Sequence, residues 1–302
     1  MNNKMKQKVV IWGYKNSRHT HGYIHSSYYK AFKYLGYETY WFNDVMEASG
    51  FNFDNCIFLT EDQVQHNIPL NKTCKYILHH VPDLSKYLDN GLDYIYLANY
   101  LKWCDDGYDK CYNEGNKVEK INDCTFWDES TKTIHQPWAT NLTPNEINTN
   151  SALKYNQDES NVNYIGMSHE NSGNINIFAE AVSMNGKIFN ITMGKTDDEN
   201  SWLIRNSYVS ADLRGDWHKE CGYLPCRVFK NISYGRLTGT NSENVKKVLG
   251  DHVIYEDNPE LLFHKIVEAE QMTPLSKIKD NMNYIKTHHT YVNRINNLLK
   301  FL

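Results

Sequence analysis

KVVIWGYKNSRHTHGYIHSSYYKAFKYLGYETYWF, residues 8–42, contains three elements in succession. KVVIWGY (8–14) is a short, almost wholly apolar run of the kind that forms a strand buried on both faces. The polar stretch KNSRHTHG follows as a loop, and YIHSSYYKAFKYLGYE sets Tyr28, Phe32 and Leu35 at helical spacing. A second strand at 39–42 completes a strand, loop, helix, strand unit.

The pattern continues outward from there. Strands are predicted at 55–59, 75–79 and 93–97, separated by polar or helical segments, and this alternation implies a parallel sheet covered on both faces. IHQPWATNLTPNEINTNSALKYNQDESN, from residue 134, is rich in Asn, contains two Pro and has little apolar periodicity, as a connection between domains would. Beyond it the alternation restarts with VNYIGMS, a helix at 174–185 and the strand KIFNITMG. KIKDNMNYIKTHHTYVNRINNLLKFL, at 277–302, reads as a closing helix pair. The expected organisation is a first α/β domain at 1–140, a linker at 141–160 and a second α/β domain at 161–302.

With 302 residues and 40% apolar content, the chain can bury two ordinary cores. Its formal charge of −4 is spread along the chain with no basic block, which argues against a nucleic-acid partner. No apolar run approaches the ~20 residues of a bilayer span, and the N-terminus lacks a signal-peptide pattern, so a soluble, cytoplasmic protein is expected. The seven cysteines include no CxxC pair and read as reduced, buried thiols.

In a parallel sheet, ligands bind at the carboxyl ends of strands, where loops and helix N-termini offer unpaired N–H groups. Two such halves facing one another would leave a cleft. On the first half, His19, His21 and His25 lie just after the first strand and could supply a base to a bound hydroxyl, bind a metal, or simply be solvated. His-x-His without a partner carboxylate or Cys at ligand spacing is weak support for a metal, and none is expected. His79 and His80 end a buried strand, either at the ligand edge or as a strand cap. On the second half, Gly166 and Ser168 follow one strand, and Gly194 and Lys195 another; Lys195 can meet a diphosphate as a point charge. Neither place carries a full GxGxxG or GxxxxGK[ST] pattern, which disfavours an ATPase or a dinucleotide dehydrogenase. In CRVFKNISYGRLTGTNS (226–242), Arg227 can form bidentate bonds to phosphate, Gly235 admits close backbone approach, and Thr238, Thr240 and Ser242 offer small donors; pairing of Arg227 with a local acid such as Glu220 is the alternative. Glu256 and Asp257 precede a helix capped near Asn258 with Pro259 in its first turn, which by itself reads as a solvated acidic loop.

In order, QPWATNLTP, VNYIGMS, NSYVSADLRG, CRVFKNISYGRLTGTNS, VIYEDNPELLFHKI and THHTYVNRINNLL resemble the landmarks of the C-terminal half of two-domain (GT-B) glycosyltransferases. The resemblance is to the spore-maturation-protein-like (CgeB-like) group related to glycosyltransferase family 4. The residues that carry it are Pro137, Ala139, Thr140, Ile165, Gly166, Arg227, Phe229, Gly235, His289, Thr290, Tyr291 and Arg294. One departure is Lys230, where the group's pattern has an acid after Arg-x-Phe.

The resemblance implies two facing Rossmann-like domains with a C-terminal helix pair. It further implies retaining, metal-independent sugar transfer from a nucleotide diphosphate sugar to a glycan or other hydroxyl acceptor. Taken with the strand-end positions above, the candidates are His21, His79 and Arg227 for catalysis, and Gly166, Ser168, Lys195, Arg227, Gly235 and Thr240 for the donor, while the resemblance places Glu256 and Asp257 at the nucleotide's ribose. His19 and His25 fall on the acceptor side. The nucleotide sugar enters as substrate, with no separate cofactor. The alternative is a protein of this fold that binds a nucleotide sugar or glycan without turnover.

Overall fold

The computed structural model describes residues 7–17, 20–101, 118–151, 158–166 and 172–302. His19 and Ser168 lie outside the described residues. The chain divides into two compact units, Met1–Asn141 with Tyr291–Leu302, and Leu142–Thr290.

In the first unit the strands are β1 (Val9–Trp12), β2 (Thr39–Phe42), β3 (Ile57–Glu61), β4 (Lys75–His79), β5 (Asp93–Ala98), β6 (Glu119–Asn122), β7 (Thr125–Asp128) and β8 (Thr133–His135). They form one sheet in the order β2-β1-β3-β4-β5-β8-β7-β6. Pairing is parallel from β2 to β8, with Val10 of β1 beside both Tyr40 and Phe58, and antiparallel in the β8-β7-β6 extension. All four residues of β1 are buried, as an apolar central strand requires. One face of the sheet carries an aromatic layer in which Phe58 stacks on Tyr76 at 5.2 Å. Helices α1 (Thr20–Tyr34) and α2 (Ser85–Asp89) cross over between strands. The Ile24, Tyr28, Ala31 and Phe32 stripe of α1 is buried, which realises the spacing seen in the sequence.

The second unit begins with α3 (Pro144–Ser151). It continues through β9 (Asn161–Ile165), α4 (Ser172–Met184), β10 (Ile188–Thr192), α5 (Asp197–Arg205), β11 (Ser210–Asp212), α6 (Asp216–Glu220), α7 (Cys226–Ser233), β12 (Thr238–Thr240), α8 (Glu243–Leu249), β13 (Ile254–Tyr255), α9 (Pro259–Met272) and α10 (Leu275–His288). β10 pairs β9, β11-β12-β13 form a second parallel ribbon, and β9 neighbours β11, with Tyr208 N donating to Asn161 O at 2.7 Å. Read in chain order, both units place their first strand between the second and the third, the doubly wound arrangement with its switch point beside the first strand.

Three expectations change. The 141–160 linker contains α3, whose onset is a capping arrangement: Glu146 accepts from both the N–H and the hydroxyl of Thr143, ahead of Pro144 at the first helical position. Both closing helices form, but α10 belongs to the second unit and α11 (Tyr291–Leu298) to the first, so the second unit does not extend to residue 302. The polar loop after β1 is shorter than read, because α1 already begins at Thr20 and carries His21 and His25 in its first two turns.

Candidate functional sites

In the first unit, the ends of β1, β3 and β4 and the start of α1 bring polar side chains together at the switch point. His25 is completely buried; its Nδ1 lies 3.1 Å from Gly13 O and its Nε2 3.0 Å from His79 Nε2. Burial strips both rings of hydration and pushes the His25 pKa down to about 4, only partly offset by the Gly13 carbonyl. His79 lies well below the ordinary histidine value for the same reason, reinforced by its imidazole neighbours. His79, at the end of β4, is completely buried. His21 retains some exposure and stands 3.3 Å from Glu61 Oε1. Glu61 accepts from Tyr14 Oη at 2.8 Å and from the Gln63 N–H at 3.0 Å. Burial raises the Glu61 pKa, and His21, Tyr14 and Gln63 together outweigh that and lower it.

In the second unit, the carboxyl ends of β9 and β11 converge on a buried ionic cluster. Asp212 Oδ1 accepts from Arg214 Nη2 at 2.7 Å and from Arg227 Nη1 at 3.3 Å. Arg227 also donates through Nε to Ile165 O at 2.8 Å and through Nη1 to Tyr164 Oη at 2.5 Å, and its guanidinium lies 4.1 Å from the centre of the Tyr164 ring. Gly166, with φ +119°, is where this can happen: a Cβ there would sit 2.6 Å from Arg227 Nη2. Arg227 therefore pairs with Asp212 rather than with Glu220, and part of the fork read as a bidentate phosphate clamp is engaged with protein.

The other donor-side residues separate into several roles. Gly235, at φ +91°, closes the last turn of α7, its N–H donating to Ile232 O at 2.8 Å. The small residues of TGT form buried strand β12, where Gly239 admits α9: a Cβ on it would meet Ile266 Cδ1 at 2.4 Å. Thr240 ends that strand and its Oγ1 accepts from Ser242 N at 3.2 Å. Lys195, at the end of β10, is half-exposed and pairs with Glu199 at 3.4 Å. Glu256 pairs with Lys265, and Asp257 with Lys219 at 2.7 Å, beside the Asn258 cap of α9. Of the donor-side set, the structure brings Gly166 and Arg227 into direct contact. The sequence reading missed Asp212, Arg214 and Tyr164 beside them and Glu61 and Tyr14 in the first unit; Asp212 and Tyr164 meet Arg227 across 15 and 63 positions, and Tyr14 meets Glu61 across 47.

His218 sits beside the ionic cluster. Burial, then the Arg214 guanidinium, push its pKa down to about 4. A folded value below the unfolded ~6.5 means that its contribution is complete above pH 6.5 and is lost as pH falls toward 4. Between pH 7 and 5 the His218 contribution is expected to fall by about 2 kcal/mol. Urea unfolding of wild type and His218→Gln at both pH values checks this, since the variant should lose correspondingly less.

The fold is thus that of a doubly wound α/β protein with two units, each presenting polar residues at the carboxyl ends of its strands. No protein-family model and no curated protein sequence matches the chain. Among solved structures, an E. coli trehalose-6-phosphate protein bound with UDP-2-fluoro glucose is similar at 9% identity, with 93% of this chain and 95% of that one covered and a TM-score of 0.47. An alpha,alpha-trehalose-phosphate synthase (UDP-forming) from Burkholderia vietnamiensis is similar at 8% identity, 98% and 99% coverage and a TM-score of 0.47. Superpositions this loose assign no role to any residue. Among the described residues, no helix is long and apolar enough to cross a membrane.

Proposed function

We propose that the chain is a glycosyltransferase of the two-domain (GT-B) kind. It moves a sugar from a nucleotide diphosphate sugar to a hydroxyl acceptor, with retention and with no metal at the diphosphate. Donor-binding residues lie in the second unit and acceptor-side residues in the first.

The observation that carries this reading is the pairwise meeting of the sequence landmarks. Arg227 bonds Ile165 and touches Gly166, Phe229 stacks on His289 at 4.9 Å, and Arg294 bonds the carbonyl of Pro137. Segments that resemble the family in order also form contacts with one another. The electrostatics agree: two guanidiniums against one carboxylate leave a net positive charge at the carboxyl ends of β9 and β11. A departing diphosphate is stabilised by such a fixed positive charge together with backbone N–H groups. Lys195, paired with Glu199, follows β10.

Thermal shift of the purified protein against nucleoside diphosphates and nucleotide sugars tests the reading, because a ligand bound only by the folded state raises stability by mass action. One nucleotide sugar at 100 times its Kd is expected to contribute about 2.7 kcal/mol, undiminished by chelator. Gly166→Val, which drives side-chain atoms into the Arg227 position, should abolish the shift. No shift with any of these ligands would refute the proposal. A second reading, donor binding without turnover, is favoured by Lys230: it is buried where the family pattern has an acid, and burial lowers its pKa. A selective shift with neither transfer nor donor hydrolysis across an acceptor panel would select that reading.

A further inference from the structure

The histidines at the switch point of the first unit stand close enough together to share one ligand. His21, His79 and His80 each offer one ring nitrogen, and the three atoms lie within 4.8 Å of one another. Their ring centroids are 5.1 Å apart for His21 and His80, 5.5 Å for His21 and His79, and 5.6 Å for His79 and His80. Three imidazoles bound tetrahedrally at ~2.0 Å would have ring centres about 5 Å apart. The rings therefore already stand close to the spacing of a three-histidine centre, and rotation of the side chains would close the nitrogens onto one ion.

The hydrogen bonds fix which nitrogen His79 presents. Gly13 O can only accept, so the proton of His25 is on Nδ1 and its Nε2 carries a lone pair. That lone pair is met by the N–H of His79 Nε2, 3.0 Å away in the buried interior. The remaining nitrogen of His79, Nδ1, is then an unprotonated lone pair, and it is buried with no hydrogen-bond partner. A buried lone pair without a donor is costly, and a cation would satisfy it.

The surroundings resemble those of a metal centre. His25 holds the outer nitrogen of His79, as second-shell groups orient ligating imidazoles, and Glu61 stands beside His21, itself fixed by Tyr14. Trp138 lies edge-on to His79 at 5.7 Å and stacks along His80 at 6.1 Å, restricting both rings.

We propose that His21, His79 and His80 bind one divalent transition-metal cation, with Zn2+ as the reference ion, leaving a coordination position for water or an oxygen of the acceptor. Three neutral imidazoles select Zn2+, Co2+, Ni2+ or Cu2+ over Mg2+ and Ca2+, which take oxygen ligands. The ion is distinct from the donor diphosphate site, and the proposal does not depend on the transferase reading. If that reading holds, the ion serves the acceptor.

Chelator-stripped protein is titrated with Zn2+ against a chromogenic chelator, and with Co2+ followed by its visible absorption. No nucleotide sugar is present, so the result is independent of activity. One equivalent of Zn2+ per chain is expected, with a Co2+ band of the intensity of a non-octahedral site and a rise in melting temperature on Zn2+ addition. His80→Asn is the informative variant. His80 is half-buried at φ +51°, a conformation that Asn tolerates, so the substitution removes the imidazole without a cavity in the core. It should weaken Zn2+ binding by roughly 100-fold or more, and Glu61→Gln by about 10-fold or more, while the exposed His264→Asn leaves binding unchanged. Failure of the wild-type protein to bind either ion stoichiometrically would overturn the proposal, as would wild-type affinity in His80→Asn.

Discussion

Asp212→Ala is expected to destabilise the protein by about 3–5 kcal/mol, the range for removing one partner from a buried charge network. The carboxylate is completely buried and its Oδ1 is shared by Arg214 and Arg227. Removing it leaves two guanidiniums, themselves nearly buried, facing one another without a counter-charge. Repulsion then adds to the lost attraction, and both are large where solvent is excluded. Asp212→Asn keeps the shape and one acceptor oxygen but not the charge, and should cost less, about 2 kcal/mol. Urea unfolding gives the magnitude, and hydrogen exchange at Tyr164, Ile165 and Asp212 should show the loss concentrated at the ends of β9 and β11. A cost below about 1 kcal/mol for the Ala variant would mean that the arginines re-pair elsewhere, and the positive charge assigned to the donor site would then have another origin.

The sequence shows most plainly the elements whose own residues determine them. VVIW could hardly be anything but a buried strand, and the α1 stripe follows from its spacing. The β8-β7-β6 extension was hidden because its strands are only three or four residues long and β8 runs into a segment whose Asn and Pro content suggests a connection. A signal for α3 was present: Thr143-Pro144-Asn145-Glu146 combines a capping hydroxyl, a proline at the first helical position and an acid three residues after the cap. The composition of the whole stretch outweighed it. The early onset of α1 has a different cause, since its first turn is polar and is held by Glu61 and His79 from strands that follow later in the chain.

The candidate sites were legible to a different degree. Arg227 and Gly166 stand out as residue types, and the structure joins them, but the partner that makes Arg227 tolerable in the interior is Asp212, an acid in a three-residue strand that sequence alone does not distinguish from others. The small residues near 238–242 looked like an anion turn because Gly and Thr serve both ligand approach and helix packing; Gly239 shows that here packing by α9 accounts for part of that pattern. The histidines were visible as a group near the first strand, yet the hydrogen bond that fixes the His79 tautomer joins positions 54 residues apart.

Arg294→Met is expected to cost about 3 kcal/mol or more, with the loss localised to the first unit. Arg294 is buried in α11 and donates to Pro137 O at 2.8 Å and to Trp138 O at 3.2 Å, tying the chain's last helix to the strand end after β8. Replacing both members of a buried polar pair with apolar groups can be harmless, but the partners here are backbone carbonyls that no substitution removes. Methionine fills much of the volume and leaves those acceptors buried without a donor, at about 1–3 kcal/mol each. Because α11 returns to the first unit from the far end of the chain, its release is the cheapest local opening available to the variant. Limited proteolysis should then cut near residue 290 much faster than in wild type, and hydrogen exchange should quicken along α11, with the ionic cluster of the second unit unaffected. Wild-type cleavage kinetics would show that aromatic packing, such as Tyr28 against Tyr291 at 4.7 Å and Trp127 against Phe301 at 4.2 Å, holds the helix without the arginine.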